Sequence, residues 1–320
     1  MKVPPNLISF LREQNDFFIA THINPEADAL GSSLALSMAL KSIGKNTIVY
    51  DRDGVPEFYR FLPDNEQFIS SYAHIKPSGL SLLLLDCNTP ERAGIKGLHF
   101  ERSAVIDHHE TESAFGDVRW IEPGAAATGV MIFYLLKQLG IDFTKAIAAN
   151  LYAAIAIDTG TFRYANTTAQ VLRVAAELIE AGANPSFISH NLYETWSGGR
   201  FRLLIMALNT LEIRDGVAFT FVTGEMFRKT GTGPEDTENF PGFPRMIKDI
   251  RISAFFRELK ENEWKVSLRS KGDMNVARIA ALFEGGGHKN AAGFKITGSL
   301  ESAKKSLLGK LSGLYTLQGF

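Results

Sequence analysis

A chain of 320 residues, 45% hydrophobic and 22% charged, is neither disordered nor fibrous, and its length favours two domains over one core. A net charge of −1 excludes a strongly basic scaffold that tracks a long duplex through many phosphate contacts, but allows small anionic substrates where a metal supplies local positive charge. One cysteine, Cys87, cannot form an internal disulfide, the start MKVPPNLISFLREQ lacks a signal-peptide core, and no run nears the ~18 apolar residues of a membrane span, so the expectation is a cytoplasmic protein with no membrane part.

In chain order, residues 16–20 (DFFIA) form a short apolar run that ends at Thr21 and His22, followed by a loop with Pro25. From Leu30 the apolar spacing changes to that of a helix closed at Gly44. Residues 46–50 (NTIVY) predict a second strand, with Asp51 read as the start of a solvated loop. Residues 80–85 (LSLLLL) are apolar on both faces, as central parallel strands are, and residues 103–106 (SAVI) repeat the pattern. Residues 128–139, 145–157 and 168–181 predict helices, the last closed at Gly182. Alternating strands and helices imply an α/β fold with a parallel sheet and helices on both faces.

The best domain boundary follows Asn184-Pro185, near residues 194–200 (ETWSGGR). Residues 1–190 form the first domain, 191–213 a linker and connecting helix (the helix at 201–213), and 214–320 a smaller α+β domain with strands at 217–223, 252–259 and 264–269. Residues 230–243, rich in Gly, Pro and Thr, predict a loop, and Lys304 and Lys305 the polar face of a final helix.

The chemistry lies where these segments end. The first run leads to His22, Glu26 and Asp28; residues 80–85 end at Asp86; residues 103–106 end at Asp107, His108 and His109; the alanine-rich helix runs into Asp158. Ligands of open parallel sheets bind outside the carboxyl ends of the strands, so the first three groups converge on one crevice. A single acidic residue at a strand end usually means only a solvated loop, but four such groups, two of them carrying imidazoles, do not. Carboxylates mixed with imidazole, without thiolate, suit manganese or a similar ion, and five or six candidates suit two ions that share a carboxylate and clamp a phosphoryl group. His74, His99 and His190 fall outside these groups and read as surface residues, Trp120, Trp196 and Trp264 as packing, and Phe162 and Arg163 as either structure or function.

The series HINPEADALGSS, LLLLDCN, IDHHE and AIDTGTFRY resembles the four motifs of the DHH phosphoesterase superfamily, and VSLRSKGDMNVARIAALFEGGGHKNAAGF resembles the DHHA1 domain. Together they cover nearly the whole chain and resemble the nanoRNase group, which degrades very short oligoribonucleotides and dephosphorylates 3′-phosphoadenosine 5′-phosphate (pAp). The resemblance implies a DHH catalytic domain, a DHHA1 substrate-binding domain and an active-site cleft between them. It implies one manganese held by His22, Glu26 and Asp86 and a second held by Asp28, Asp86, His108 and Asp158, with Asp86 bridging. Asp107 would orient a ligand, His109 would face the substrate phosphate, and Arg269, Gly286, Gly287, His288 and Asn290 would bind substrate. Because coordination lowers the pKa of water to about 7, the expected reaction is hydrolysis by metal-bound hydroxide. Its partners are short oligoribonucleotides or small nucleotides, with no long duplex, and monomer and homodimer stay open. Glu26-Ala27-Asp28 departs from the usual Asp-Gly-Asp of the first motif. A pyrophosphatase, a phosphodiesterase of linear or cyclic dinucleotides, and a nucleotide-binding regulator with reduced turnover are the alternatives.

Overall fold

The computed structural model describes residues 1–109 and 113–314, which divide into two compact units, Met1–Thr195 and Trp196–Phe320. The first contains α1 (Pro5–Glu13), β1 (Asp16–Ala20), α2 (Ala27–Ser42), β2 (Asn46–Tyr50), β3 (Phe68–Ile69), β4 (Ser81–Leu85), β5 (Arg102–Asp107), β6 (Val118–Ile121), α3 (Thr128–Leu139), α4 (Lys145–Asp158), α5 (Ala169–Glu180) and α6 (Pro185–Tyr193). Its sheet has the order β3-β2-β1-β4-β5-β6, parallel throughout. The chain leaves β1 outward through β2 and β3, then returns to the other side of β1 with β4. The carboxyl ends of β1 and β4 therefore flank the point where strand order reverses, where α/β sheets hold ligands.

Phe17, Ile19, Leu83, Leu85, Ala104 and Ile106 face a core shared with helices α1 to α6. The alternate residues, Phe18, Ala20, Leu82, Leu84 and Val105, face a smaller core that is closed by Tyr72, Ile75, Ala93, Ile95, Leu98 and Phe100. Thus helices cover one face and irregular segments the other, where the alternation of elements predicted helices on both. The reason is in the connections around β4, where Pro77, Gly79, Pro90, Gly94 and Gly97 interrupt any helix long enough to cover a sheet.

Helix α2 is buried on nearly every side, between the sheet and helices α3 and α4. Small residues make that possible: a Cβ on Gly31 would lie 2.4 Å from the backbone oxygen of Asn150 on α4. Gly31→Ala is expected to lower stability by about 1–3 kcal/mol through overpacking, read as a lower melting temperature. An unchanged melting temperature would show that α2 and α4 can separate without loss.

The second unit contains α7 (Gly198–Leu208), β7 (Glu212–Arg214), β8 (Val217–Val222), α8 (Gly224–Thr230), β9 (Ile252–Lys260), β10 (Glu263–Ser270), α9 (Val276–Ala281), β11 (Gly286–His288), β12 (Ala291–Thr297) and α10 (Leu300–Leu314). Its sheet, β11-β12-β10-β9-β8-β7, is antiparallel except for the β8–β9 pair. Helices α9 and α10 cover one face, and α7 with Phe240 covers the other. The helix predicted over 201–213 ends instead at Leu208, and Ile213 lies in β7. Thr210 causes the change: its hydroxyl donates to the Ala207 carbonyl at 2.6 Å and accepts from the Phe221 N–H at 2.9 Å, turning the chain toward β8. Residues 230–243 hold two 3-10 turns, Pro234–Thr237 and Phe240–Gly242. Lys304 is not on a solvated face: it is 4% exposed and bonded to Glu212 and Glu301, because edge strand β7 supplies a carboxylate beneath α10.

Candidate metal centre

Strand β1 delivers His22 just beyond its end, β4 delivers Asp86, and β5 delivers Asp107, His108 and His109. The first turn of α2 presents Asp28 and the last residue of α4 is Asp158. Asp86 has left-handed backbone, φ 56°, a conformation that aspartate tolerates better than most side chains. Its N–H is bonded to the Ile106 carbonyl of β5 at 3.0 Å. The apolar strand ends at a carboxylate whose backbone β5 holds in place.

The side chains converge on Asp86. Oδ2 of Asp86 lies 3.3 Å from Nε2 of His22, and Oδ1 lies 3.4 Å from Nε2 of His108 and 3.6 Å from Nδ1 of His109. Nε2 of His108 is also 3.2 Å from Asp158 and 3.7 Å from Asp28. Two groups, Asp86 with His108 and His109, and Asp28 with His108 and Asp158, each bring their ligand atoms within 4.8 Å of one another. Glu26 stands at the N-cap of α2, exposed, close enough to favour the charged form of His22.

Both imidazoles are oriented from behind. Nδ1 of His22 donates to the Ile23 carbonyl at 3.0 Å and Nδ1 of His108 donates to the Ala125 carbonyl at 3.2 Å, because a carbonyl can only accept. Each Nε2 is left facing carboxylates, the arrangement that metal-ligating histidines adopt. Three aspartates around one imidazole nitrogen, in a buried site, repel one another unless a cation or protons intervene. The donor set therefore fits divalent ions.

Proton affinities record that crowding. Burial, then the charges of Asp86 and Asp158, push the Asp28 carboxyl well above the usual carboxylate range. Burial would do the same to Asp86, but hydrogen bonds to His108 and His22 outweigh it and hold Asp86 well below that range. Burial opposes charge on His22, yet its bond to Asp86 raises it to about 9. His108 is likewise raised against burial by Asp158 and Asp86.

One element of the site was missed in the sequence. The N-terminus of α3 clamps the aspartates: the N–H groups of Thr128 and Gly129 donate to Asp28 Oδ2 and Oδ1 at 2.7 and 2.8 Å, and the Thr128 hydroxyl donates to Asp86 Oδ1 at 3.0 Å. Just before it, the Ala126 carbonyl shares the amide of Asn166 with the Asp158 carbonyl, each at 3.1 Å. Residues 125–129 thus touch His108, Asp28 and Asp86, and reach Asp158 through Asn166. The only local signal is a threonine opening an apolar helix, which every ordinary helix start also gives.

Asp107 is fully buried. Its Oδ1 accepts from Nδ1 of His109 at 2.6 Å, and its Oδ2 has no hydrogen-bond partner among the described residues. Phe162 and Arg163 find structural roles. Gly160, Thr161 and Phe162 are consecutively left-handed, Phe162 packs on Tyr152, and Arg163 Nε donates to the Gly160 carbonyl at 2.7 Å. Cys87 is buried beside Asp86, and burial pushes its thiol up to about 12, which makes it a poor nucleophile.

Asp51 corrects its reading as a solvated loop residue: it is fully buried, with Oδ2 unpartnered among the described residues. Irregular chain folds over this end of the sheet, which periodicity does not reveal. Burial pushes its carboxyl up to about 7, against ~3.9 in an unfolded chain. Between those values the folded state keeps a proton that the unfolded state has lost, so stability falls as pH rises from about 4 to about 7. Asp51→Asn should therefore raise the melting temperature more at pH 8 than at pH 5, with an upper bound of about 4 kcal/mol. Equal effects at both pH values would refute this.

In the second unit Arg269 lies near the end of β10, paired with Ser253 of β9 and Ala291 of β12. Gly286 and Gly287 lie on β11, opposite Gly293 and Ala292. A Cβ on Gly287 would meet the Ala291 oxygen at 2.5 Å, whereas Gly286 has open space where its Cβ would be. Packing explains the first glycine and not the second. Asn290 donates its amide to Ser270 Oγ at 2.9 Å, fastening the hairpin beside Arg269. The side chain of His288 lies outside the described residues.

The DHH family, N-terminal domain, matches residues 16–155, and the DHHA1 domain matches residues 215–314. A Thermus thermophilus protein described as bifunctional oligoribonuclease and PAP phosphatase NrnA is 36% identical over 309 residues, 96% of this chain and 92% of that one. Its Bacillus subtilis namesake is 28% identical over 308 residues, 91% and 92% of the two chains. The solved structure of an exopolyphosphatase-related protein from Bacteroides fragilis is similar with a TM-score of 0.88 and 27% identity, over 97% of this chain and 96% of that chain. No helix among the described residues is long and apolar enough to cross a membrane.

Proposed function

The chain belongs to the DHH phosphoesterase family, with a DHHA1 domain in its second unit, and from that premise we propose that this metal-dependent phosphoesterase hydrolyses short oligoribonucleotides and pAp with two manganese ions. The observation that carries the reading is the pair of back-oriented imidazoles, His22 and His108, whose Nε2 atoms both face Asp86, in a chain similar over 96% of its length to a bifunctional oligoribonuclease and PAP phosphatase.

His22, Glu26 and Asp86 would hold one ion, and Asp28, Asp86, His108 and Asp158 the other. When bound, such ions supply a hydroxide nucleophile near neutral pH and offset negative charge at phosphorus. The protein's own part is positional. The first turn of α3 fixes Asp28 and Asp86, and Asp107 fixes the His109 ring so that Nε2 is turned away from the carboxylate toward substrate. His109 stabilises charge on the phosphoryl oxygens. Arg269, Gly286, Gly287, His288 and Asn290 grip the nucleotide away from the bond that breaks, and that remote binding energy orients it.

Purified protein is to be assayed with manganese on pAp, pApA, a length series of RNA, a cyclic dinucleotide and pyrophosphate. Turnover of pAp and of the shortest RNAs is expected, with loss on chelation. Turnover of pyrophosphate alone, or of dinucleotides alone, would move the chain to another branch of the family. Binding of pAp without hydrolysis would make it a regulator.

A further inference from the structure

Between β4 and β5 the chain runs through Thr89, Pro90, Glu91 and Arg92. In the fold Arg92 is half-buried and its guanidinium points inward, with one terminal nitrogen 3.4 Å from Nε2 of His109. Its backbone is held on both sides. The N–H donates to Thr89 Oγ1 at 3.3 Å, and the carbonyl accepts from the Ile23 N–H at 2.9 Å, one residue from His22.

Among the described residues the guanidinium has no carboxylate partner. Asp28, Asp86, Asp107 and Asp158 all lie in this region, but each is engaged with imidazole, and among the described residues none forms an ion pair with Arg92. By contrast Arg52, just after strand β2, pairs with Asp53 at 2.8 Å. An arginine cannot shed its proton, and a cation that loses hydration without a counter-charge is destabilising. The arrangement makes sense if the counter-charge arrives with a ligand. Guanidinium is weakly hydrated and its fork matches two oxygens of one phosphoryl group. His109, whose Nε2 faces the same point, is the residue placed at that group.

We infer that Arg92 binds the phosphoryl group under attack, sharing it with His109, in the site that the proposed function assigns to phosphate-ester hydrolysis. Arg269 is expected to act on the remote part of a nucleotide. Arg92 lies beside the reacting phosphorus and acts on every substrate.

The test compares the manganese-loaded natural protein with Arg92→Ala and Arg92→Lys. Inorganic phosphate binding is measured by calorimetry, kcat and KM on pAp and on bis(p-nitrophenyl) phosphate, and manganese affinity and melting temperature serve as structural readouts. Arg92→Ala should weaken phosphate binding at least tenfold and lower kcat/KM about 10²-fold on both esters, with manganese affinity and melting temperature unchanged. Arg92→Lys, which keeps the charge and loses the fork, should fall between. Unchanged phosphate affinity overturns the assignment, as does a loss confined to pAp or a matching loss of manganese affinity. A natural protein that binds no phosphate also overturns it. If the natural protein binds phosphate but hydrolyses neither ester, the hydrolytic reading fails, and the phosphate comparison still decides the role of Arg92.

Discussion

Asp86→Ala is expected to lower hydrolysis by at least about 10³-fold and to weaken manganese binding at both positions. The expectation follows from how the two carboxylate oxygens are divided. Oδ2 faces His22, while Oδ1 faces His108 and accepts from the Thr128 hydroxyl. Removing one member of a buried charged cluster costs about 3–5 kcal/mol because its partners are left uncompensated, and here two histidines lose the same partner. Calorimetric titration of manganese, with the melting temperature as a control for folding, reads the result. Two ions bound at near-natural affinity, with activity retained, would refute the proposed bridging role of Asp86. His74→Ala, at an exposed position, should leave activity unchanged.

Arg269→Ala should separate recognition from chemistry. Loss of charge-assisted phosphate contacts costs about 1.5–3 kcal/mol, so kcat/KM on pAp should fall roughly 10- to 100-fold. Hydrolysis of a small artificial phosphodiester, which has no remote nucleotide part, should change little. Equal losses on both substrates would make Arg269 a structural residue of β10. The contrast with Arg92→Ala, expected to affect both substrates, is the sharper form of the test.

The carboxylates and imidazoles were legible because each follows a run whose pattern is strong. Four consecutive leucines before Asp86 form a short run apolar on both faces, which reads as a central strand, and its end is then a candidate ligand position in a parallel sheet. Arg92, Asp51 and Thr128 were not legible, and for one physical reason: their surroundings come from distant chain. Arg92 meets His109 because the chain leaving β5 brings it alongside, Asp51 is buried because irregular segments seal that end of the sheet, and Thr128 meets Asp28 because α3 begins against a residue a hundred positions earlier. Lys304 misled in the same way, since the pattern of α10 does not show Glu212 waiting on β7. Thr210 is a local failure. A hydroxyl that can bond its own helix carbonyls ends α7 earlier than apolar spacing suggests.

Strand β1 lies inside the first sheet, between β2 and β4, and this has a bearing on how the chain is made. As it leaves the ribosome, the first strand out becomes the interior of the sheet. β4, β5 and β6 are then laid down in turn on one side of it, a growing edge that is always the newest segment. Asp158, the last of the proposed ligands, emerges only after every strand of that sheet. On the proposed assignment a nascent chain holding His22, Glu26 and Asp28 has neither ligand set complete, the first being completed by Asp86 and the second by Asp158. The second of the two proposed sites would therefore be the later to close, assembled only once all six strands of the first sheet are out.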